Sequence, residues 1–440
     1  MLQHLSVLTY FWSILLETTL KNEFTKFLVQ SVKGYQNMSE KVVQFSNDVE
    51  LIEYIESNTE DQTDCKILRF LYGSGEAIYK SLYKKKKSFL DKTLHAFQNV
   101  EIVTIFGCVI NIEHFGMIAK LPNLKSLSIG GIYINYDSII LNNNLEQLNF
   151  TFYKGKVNYS QVQTMLDRLP TNLKTLFIHT EIKLNIDNLP ANLEKLVIIG
   201  TYPNSIDLLP VTLKELVLSE GSVWMKNTSL TINYLANLPA NLEKLLISYY
   251  DAPLDNLPHN LQVLKIIKFD YPGVVTLPEN IKTFICDYFT NIKHLYLNDN
   301  LEVLILGKIT DETQVDLSKL PNTIHTLKLS NYFEKFLDKT YQYPLSLKNI
   351  YIHHKIYKNK NTTDDDDDDY NTLDLGLLPK TLTNLYVLYY KTPIDCFVDC
   401  DDLSDYPRIT IKNGSLKIKF MINNSYEYDY LDPDTNYFHF

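Results

Sequence analysis

One phrase, Leu-Pro-x-Asn-Leu-x-x-Leu-x-Ile, recurs along most of this chain. A chain that repeats at such a short period folds as stacked turns rather than around a single closed core. Residues 189–198 read Leu-Pro-Ala-Asn-Leu-Glu-Lys-Leu-Val-Ile, and residues 238–247 read Leu-Pro-Ala-Asn-Leu-Glu-Lys-Leu-Leu-Ile. Aligned on the first leucine, twelve copies begin at Leu121, Leu141, Leu169, Leu189, Leu209, Leu238, Leu257, Leu277, Leu297, Leu320, Tyr343 and Leu378. The commonest step between them is 20 residues. Ten of the sixteen prolines stand at the second position, which Asn142 and Asn298 fill in the two remaining copies.

Each part of the phrase has a physical reading. Leu-x-x-Leu-x-Ile ends with period two, which sends alternate side chains of a short strand inward. Proline lacks a donor and fixes its own φ, so it suits the turn before a strand and not the strand. The residue before the first strand leucine is Asn in eight copies and Thr or Ser in the others, at Thr212, Thr323, Ser346 and Thr381. Short polar side chains hydrogen-bond nearby backbone in turns, so stacked copies are expected to form a ladder at this corner. One turn of about 20 residues buries too little to offset its ordering entropy. Turns must therefore stack, and the ends of the stack need covering. Only ten residues separate Ile198 from Leu209, which leaves room for extended or 3₁₀ return segments but no full helix.

The strand phrase matches that of leucine-rich repeats. The added Leu-Pro, together with Asp251-Ala-Pro-Leu-Asp-Asn-Leu-Pro258, resembles the FNIP repeats of social amoebae and giant amoebal viruses. That resemblance spans roughly residues 96 to 395, and the Asn, Lys, Ile and Tyr content fits an AT-rich genome of this kind. It implies an interaction scaffold, in some relatives joined to an F-box. The expected fold is an α/β-type, leucine-rich-repeat-like solenoid. It would be a flattened horseshoe or rod with one long parallel sheet, mostly extended or 3₁₀ returns, and an N-terminal helical cap.

Three regions follow from this reading. Residues 1–95 lack the phrase; Thr18 to Val32 and Asp48 to Ile55 carry helical spacing, as a cap or as a docking region. An F-box there is a guess from the resemblance alone, and the Leu-Pro usual near its start is missing. Residues 96–400 form the solenoid, opened by the degenerate unit at Asn99 to Ile105. Residues 401–440 contain two strand-like runs, 409–411 and 416–422, suited to closing a sheet edge. The six adjacent carboxylates of Asp364 to Asp369 repel one another and are expected to stay unfolded, since the glycine turn and spaced ligands of a calcium loop are missing.

Bulk properties remove several functional classes. A net charge of −10 argues against a broad nucleic-acid surface, and the basic run Lys84 to Lys87 reads as a solvated helix end or loop. Five cysteines over 440 residues do not make a disulfide framework. Cys396 and Cys400 have no matching pair for a four-ligand zinc site, so no metal and no cofactor is expected. The apolar run Leu5 to Leu16 is about half a membrane span and lacks the flanks of a signal peptide. No membrane contact and a cytoplasmic location follow as expectations. No phosphate-binding glycine loop or nucleophile elbow is present. His353 and His354, adjacent on a strand, point to opposite faces. A non-enzymatic protein is expected.

Positions left free by the phrase are the candidates for function. The column after the first strand leucine reads Lys125, Glu146, Lys174, Glu194, Lys214, Glu243, a charge alternation suited to fixing register. The central outward column runs through Ser128, Asn149, Phe177, Val197, Val217, Leu246, Lys265, Ile285, Ile305, Lys328, Tyr351 and Tyr386. Its apolar members, Phe177, Val197, Val217, Leu246, Ile285, Ile305, Tyr351 and Tyr386, are the candidate partner-binding stripe on a concave sheet face. Further candidates are the insertions after Phe150 and around Trp224. The expected function is a protein–protein interaction scaffold. The alternatives are a substrate adaptor that recruits ubiquitin-ligase subunits through residues 1–95, and a structural or virion-associated repeat protein.

Overall fold

A computed structural model describes residues 41–45, 65–71, 97–106, 119–130, 140–152, 159–180, 182–201, 203, 205–219, 235, 237–290, 294–309, 314–315, 320–329, 343–354, 381–390 and 417–423. The chain divides into two compact units. The first comprises residues 1–226 with 237–242, and the second 227–236 with 243–440.

In the first unit the strands are β1 (Lys41–Phe45), β2 (Cys65–Leu71), β3 (Ile102–Phe106), β4 (Ser126–Gly130), β5 (Gln147–Phe152), β6 (Thr175–Thr180), β7 (Lys195–Gly200) and β8 (Glu215–Ser219). Every neighbouring pair is parallel and follows chain order. In the second unit β9 (Lys244–Tyr250), β10 (Val263–Asp270), β12 (Thr283–Thr290), β14 (Val303–Ile309), β16 (Thr326–Leu329), β17 (Asn349–His354), β18 (Asn384–Tyr390) and β19 (Lys417–Asn423) pair in parallel in the same manner. On the return side of this unit, β11 (Val274–Thr276), β13 (His294–Tyr296) and β15 (Gln314–Val315) form a second, three-stranded parallel sheet. The molecule is a parallel-sheet β-solenoid of leucine-rich turns.

The register shows why the phrase repeats. Leu176, Leu196 and Leu216 stand level, as do Ile178, Ile198 and Leu218 two residues on. All six are between 0% and 2% exposed. The turn before each strand is closed by a bond from the first leucine N–H to the proline carbonyl: Leu173 to Pro170, Leu193 to Pro190, Leu213 to Pro210, at 3.0–3.2 Å. Proline thus contributes the carbonyl it has, and no bond asks for the N–H it lacks. Where Asn142 replaces proline, its backbone N–H donates to Ala119 O at 3.0 Å, and its Nδ2 donates to Leu121 O at 2.6 Å.

The polar corner is a ladder. Asn144 Nδ2 donates to Pro122 O at 2.9 Å, Asn172 to Asn143 O at 2.9 Å and Asn192 to Thr171 O at 3.0 Å. Thr212 Oγ1 takes the same place, donating to Ala191 O at 2.6 Å, and Asn241 then donates to Val211 O at 2.9 Å. In the second unit Asn300 bonds Glu279 O, Thr323 bonds Asp299 O, and Ser346 bonds Ile324 O. Each of these corner side chains satisfies a carbonyl of the turn before it.

One feature of the N-terminal region differs from expectation. Among the described residues parallel pairing begins at Lys41, well ahead of residue 96, because β1 and β2 join the same sheet as β3. Thr18 to Val32 and Asp48 to Ile55, where a helical cap is expected, lie outside the described residues. At the other end β19 extends the sheet in parallel beyond β18, and the run 409–411 lies outside the described residues. A helix does occur in a long step: α1 (Tyr159–Leu166) buries Val162, Met165 and Leu166. Gln163 pins it to the next turn, donating to Asn185 O at 2.8 Å and accepting from Asn185 N at 2.9 Å. Among the described residues no helix is long and apolar enough to cross a membrane.

Gly200 closes β7 at φ +109°, where a Cβ would collide with the Thr180 carbonyl. The corner ladder yields a direct prediction. Asn192→Ala removes one bond to a neighbouring turn and is expected to lower stability by about 1 kcal/mol. Asn192→Thr, which copies Thr212, should restore most of that loss. Urea unfolding of the three proteins checks this; equal losses for Ala and Thr would deny the corner bond any part in stability.

Candidate functional site

Side chains on one strand face alternate with those on the other, so the inward leucines fix which residues lie on the opposite, outward face. In the first unit Asn149, Phe177, Val197 and Val217 stand level in the outward column on consecutive strands. In the second unit the same row runs Leu246, Lys265, Ile285, Ile305, Lys328, Tyr351, Tyr386. The eight apolar candidates therefore share two rows, one in each unit. Tyr386 is placed by its backbone, and its side chain lies outside the described residues.

The rows are not an open apolar stripe. Phe177, Val197 and Val217 are only 4–8% exposed, and Leu246, Ile285, Ile305 and Tyr351 only 2–6%. Ile285, Val303 and Ile305 form a buried apolar cluster on this face. Polar members are withdrawn from water as well. Ser128 and Asn149 are buried and joined by an Asn149 Nδ2 bond to Ser128 Oγ at 3.2 Å. Lys265 and Lys328 are buried, and the Lys328 ammonium sits 5.9 Å from the Tyr351 ring centre.

Asp287 is a residue the sequence reading did not single out. It lies two residues beyond Ile285 on β12, on the same face, and is buried. Burial pushes its carboxyl above the usual range, while the charges of Lys265 and then Lys328 pull it back. The available signal was a charge at the fifth strand position, where the adjoining strands place Ile267 and Gly307 and two earlier copies place Ser219 and Ser248. Gly307 follows at the matching place on β14, and a Cβ there would collide with the Asp287 carbonyl.

The alternating charged column forms ion pairs between turns. Lys125 meets Glu101 at 2.7 Å, Lys174 meets Glu146 at 3.0 Å, and Lys214 meets Glu194 at 3.0 Å. In the second unit Lys282 meets Glu302 at 3.3 Å. Backbone bonds run along the same column, for example from Lys174 N to Glu146 O at 2.8 Å. These partly exposed pairs suit register fixing, each being worth a few tenths of a kcal/mol.

Other expected features find less in the structure. Among the described residues no cluster of three His, Cys, Asp or Glu is placed to hold a metal ion. Cys286 is a buried thiol of the inward face, and burial pushes its pKa well up. The side chains of His353 and His354, the cysteines at 396 and 400, the acidic run 364–369 and the region around Trp224 lie outside the described residues.

No family model matches this chain, and no curated protein matches it. Solved structures do align with it. YopM from Yersinia enterocolitica WA-314 aligns at 16% identity with a TM-score of 0.38, over 74% of this chain and 64% of YopM. The chain thus spans less than two thirds of the length of YopM. A leucine-rich repeat protein from Bacteroides ovatus ATCC 8483 aligns at 11% identity with a TM-score of 0.13, over 87% of this chain and 88% of that one. Alignments at these scores carry no functional argument, and the solenoid stands on its own strand pairing.

Glu101 supplies a pH test of the charged column. It accepts hydrogen bonds from Lys125 Nζ at 2.7 Å and from Lys66 Nζ at 2.5 Å, and these hold its carboxyl below the usual range. A depressed carboxylate stabilises the fold above its unfolded pKa and loses that contribution as pH falls through the folded one. Glu101→Gln should therefore cost about 0.5–1 kcal/mol at neutral pH, with the difference from wild type shrinking below about pH 4. Chemical unfolding at pH 7 and pH 3 reads it; a constant difference would assign the effect to packing.

Proposed function

We propose that this chain is a non-catalytic scaffold that binds a protein partner through the outward rows of its sheet. One observation carries the reading. The inward positions repeat nearly one residue type from turn to turn, with Leu176, Leu196 and Leu216 in register. The outward positions do not: Asn149, Phe177 and Val197 stand level on successive turns. Stacking needs the first set and leaves the second unspecified, so what is particular to this protein lies outward. The proposed contacts are Phe177, Val197 and Val217 in the first unit and Leu246, Ile285, Ile305, Tyr351 and Tyr386 in the second.

Apart from Tyr386, whose side chain lies outside the described residues, these side chains are buried in the free chain, so partner binding has to gain access to them. Substituting a charge at Val197 or Leu246 is for the same reason a poor test, because it would attack the fold. A photo-crosslinking residue at Phe177 and at Tyr351 reports contact with less disruption. Leu208 and Leu345, 64% and 76% exposed at turn edges, serve as controls. Adducts from 177 and 351, and none from the controls, are expected in extracts of the native host. Adducts only from the controls would move binding to the turn edges, and no adducts from any site would count against the scaffold.

A location in the cytoplasm, expected because Leu5 to Leu16 lacks the flanks of a signal peptide, and kinship with FNIP-repeat proteins, which rests on the Leu-Pro phrase, belong to the same proposal. The ubiquitin-ligase adaptor gains no support: the described parts of residues 1–95 contribute strands β1 and β2 to the sheet.

A further inference from the structure

The column after the first strand leucine continues in the second unit as Gln262, Lys282, Glu302, His325, Lys348 and Thr383. Of these, His325 is the side chain that titrates near neutral pH. It stands between Glu302 and Lys348: its backbone N–H donates to Glu302 O at 2.9 Å, and its carbonyl accepts from Lys348 N at 2.9 Å. Its ring ends a relay of polar side chains that crosses the following turns. Asn384 Nδ2 donates to Asn349 Oδ1 at 2.8 Å, and Asn349 Nδ2 donates to Thr326 Oγ1 at 3.2 Å. Thr326 Oγ1 lies 3.0 Å from His325 Nδ1.

The relay has a direction. Asn349 already donates to Thr326 Oγ1, so the Thr326 hydroxyl keeps its own hydrogen to give. Thr326 is 2% exposed, and among the described residues the acceptor its hydroxyl reaches is His325 Nδ1. Nδ1 therefore carries no proton in the closed relay, and the ring proton sits on Nε2, 3.8 Å from Glu302 Oε2. Lys282 holds the other oxygen of that carboxylate at 3.3 Å. A proton added at Nδ1 makes the ring a donor and leaves the enclosed Thr326 hydrogen without its acceptor. Burial lowers the ring's pKa below its usual value; the Glu302 charge pulls it up, and the Lys348 charge pushes it down again.

We propose that His325 is a proton-sensitive latch between the turns of β14, β16 and β17, closed while its ring is neutral and loosened when Nδ1 takes a proton. A histidine whose pKa is depressed by folding adds stability above its unfolded pKa of about 6.5. That contribution is lost as pH falls through the folded value. Mild acid therefore loosens these rungs. Because β14 and β17 carry Ile305 and Tyr351, loosening also gives a partner a way to the buried outward row. That consequence rests on the scaffold reading; the latch itself does not, and its test needs no partner.

The test is NMR of the full chain with labelled histidine, His325→Gln identifying the resonance among the ten histidines. Expected are a neutral ring protonated at Nε2 and a titration midpoint below the usual histidine value. Thr326→Val, which removes the hydroxyl that donates to Nδ1, should raise that midpoint. A neutral ring protonated at Nδ1, or a midpoint that Thr326→Val leaves unchanged or lowers, overturns the latch. Hydrogen exchange decides should Thr326→Val fail to fold. Between about pH 7.5 and about pH 5, amides 326–329 and 349–352 of the wild type should lose about fivefold in protection after correction for intrinsic rates, the equivalent of one hydrogen bond. His325→Gln, whose side chain cannot take the charge, should keep its protection. Equal losses in the two proteins, or none in either, overturn the proposal.

Discussion

Each turn of this chain has its backbone completed by the turn before it. Parallel strands find hydrogen-bond partners only in neighbouring turns, and the corner side chains follow the same rule. Asn192 bonds Thr171 O, and Thr212 bonds Ala191 O. The inward Leu and Ile columns then stack into a core that no single turn could bury. Every residue type in the phrase serves this one constraint: proline supplies a carbonyl, Asn or Thr supplies a donor, and Leu and Ile supply packing.

The constraint also separates architecture from specificity. Inward and corner positions are committed to stacking, and the charged column adds register through pairs such as Lys174–Glu146. Outward positions are free to vary and do so. In the second unit that freedom has been used for an unusual set, Lys265, Asp287 and Lys328, buried beside Ile285 and Ile305. Burying these groups opposes stability unless something is gained from them.

Much of the stacking was legible because period-two strands, proline placement and corner asparagines are local patterns. The polar ladder and the Lys–Glu pairing follow from twenty-residue spacing once strands are parallel. Other features were not legible, for physical reasons. Strands β1 and β2 lack the Leu-Pro phrase, so nothing local marks Lys41–Phe45 or Cys65–Leu71 as rungs of the sheet. Alternation tells which face a residue occupies but not what lies over that face, so Val197 and Leu246 read as outward-facing while their burial was not legible. Asp287 escaped notice because the adjoining strands place Ile267 and Gly307 at that level, and a lone charge in a strand reads as solvated.

Amide hydrogen exchange tests the stacked-turn account most directly. Strong protection is predicted for strand amides at 195–199, 215–219, 244–249, 263–269 and 283–289, recurring with the repeat. The corner amides that bond the preceding turn, Lys174, Glu194 and Lys214 among them, should share that protection. Protection confined to a few isolated segments, with the strand and corner amides of the repeat exchanging freely, would contradict it.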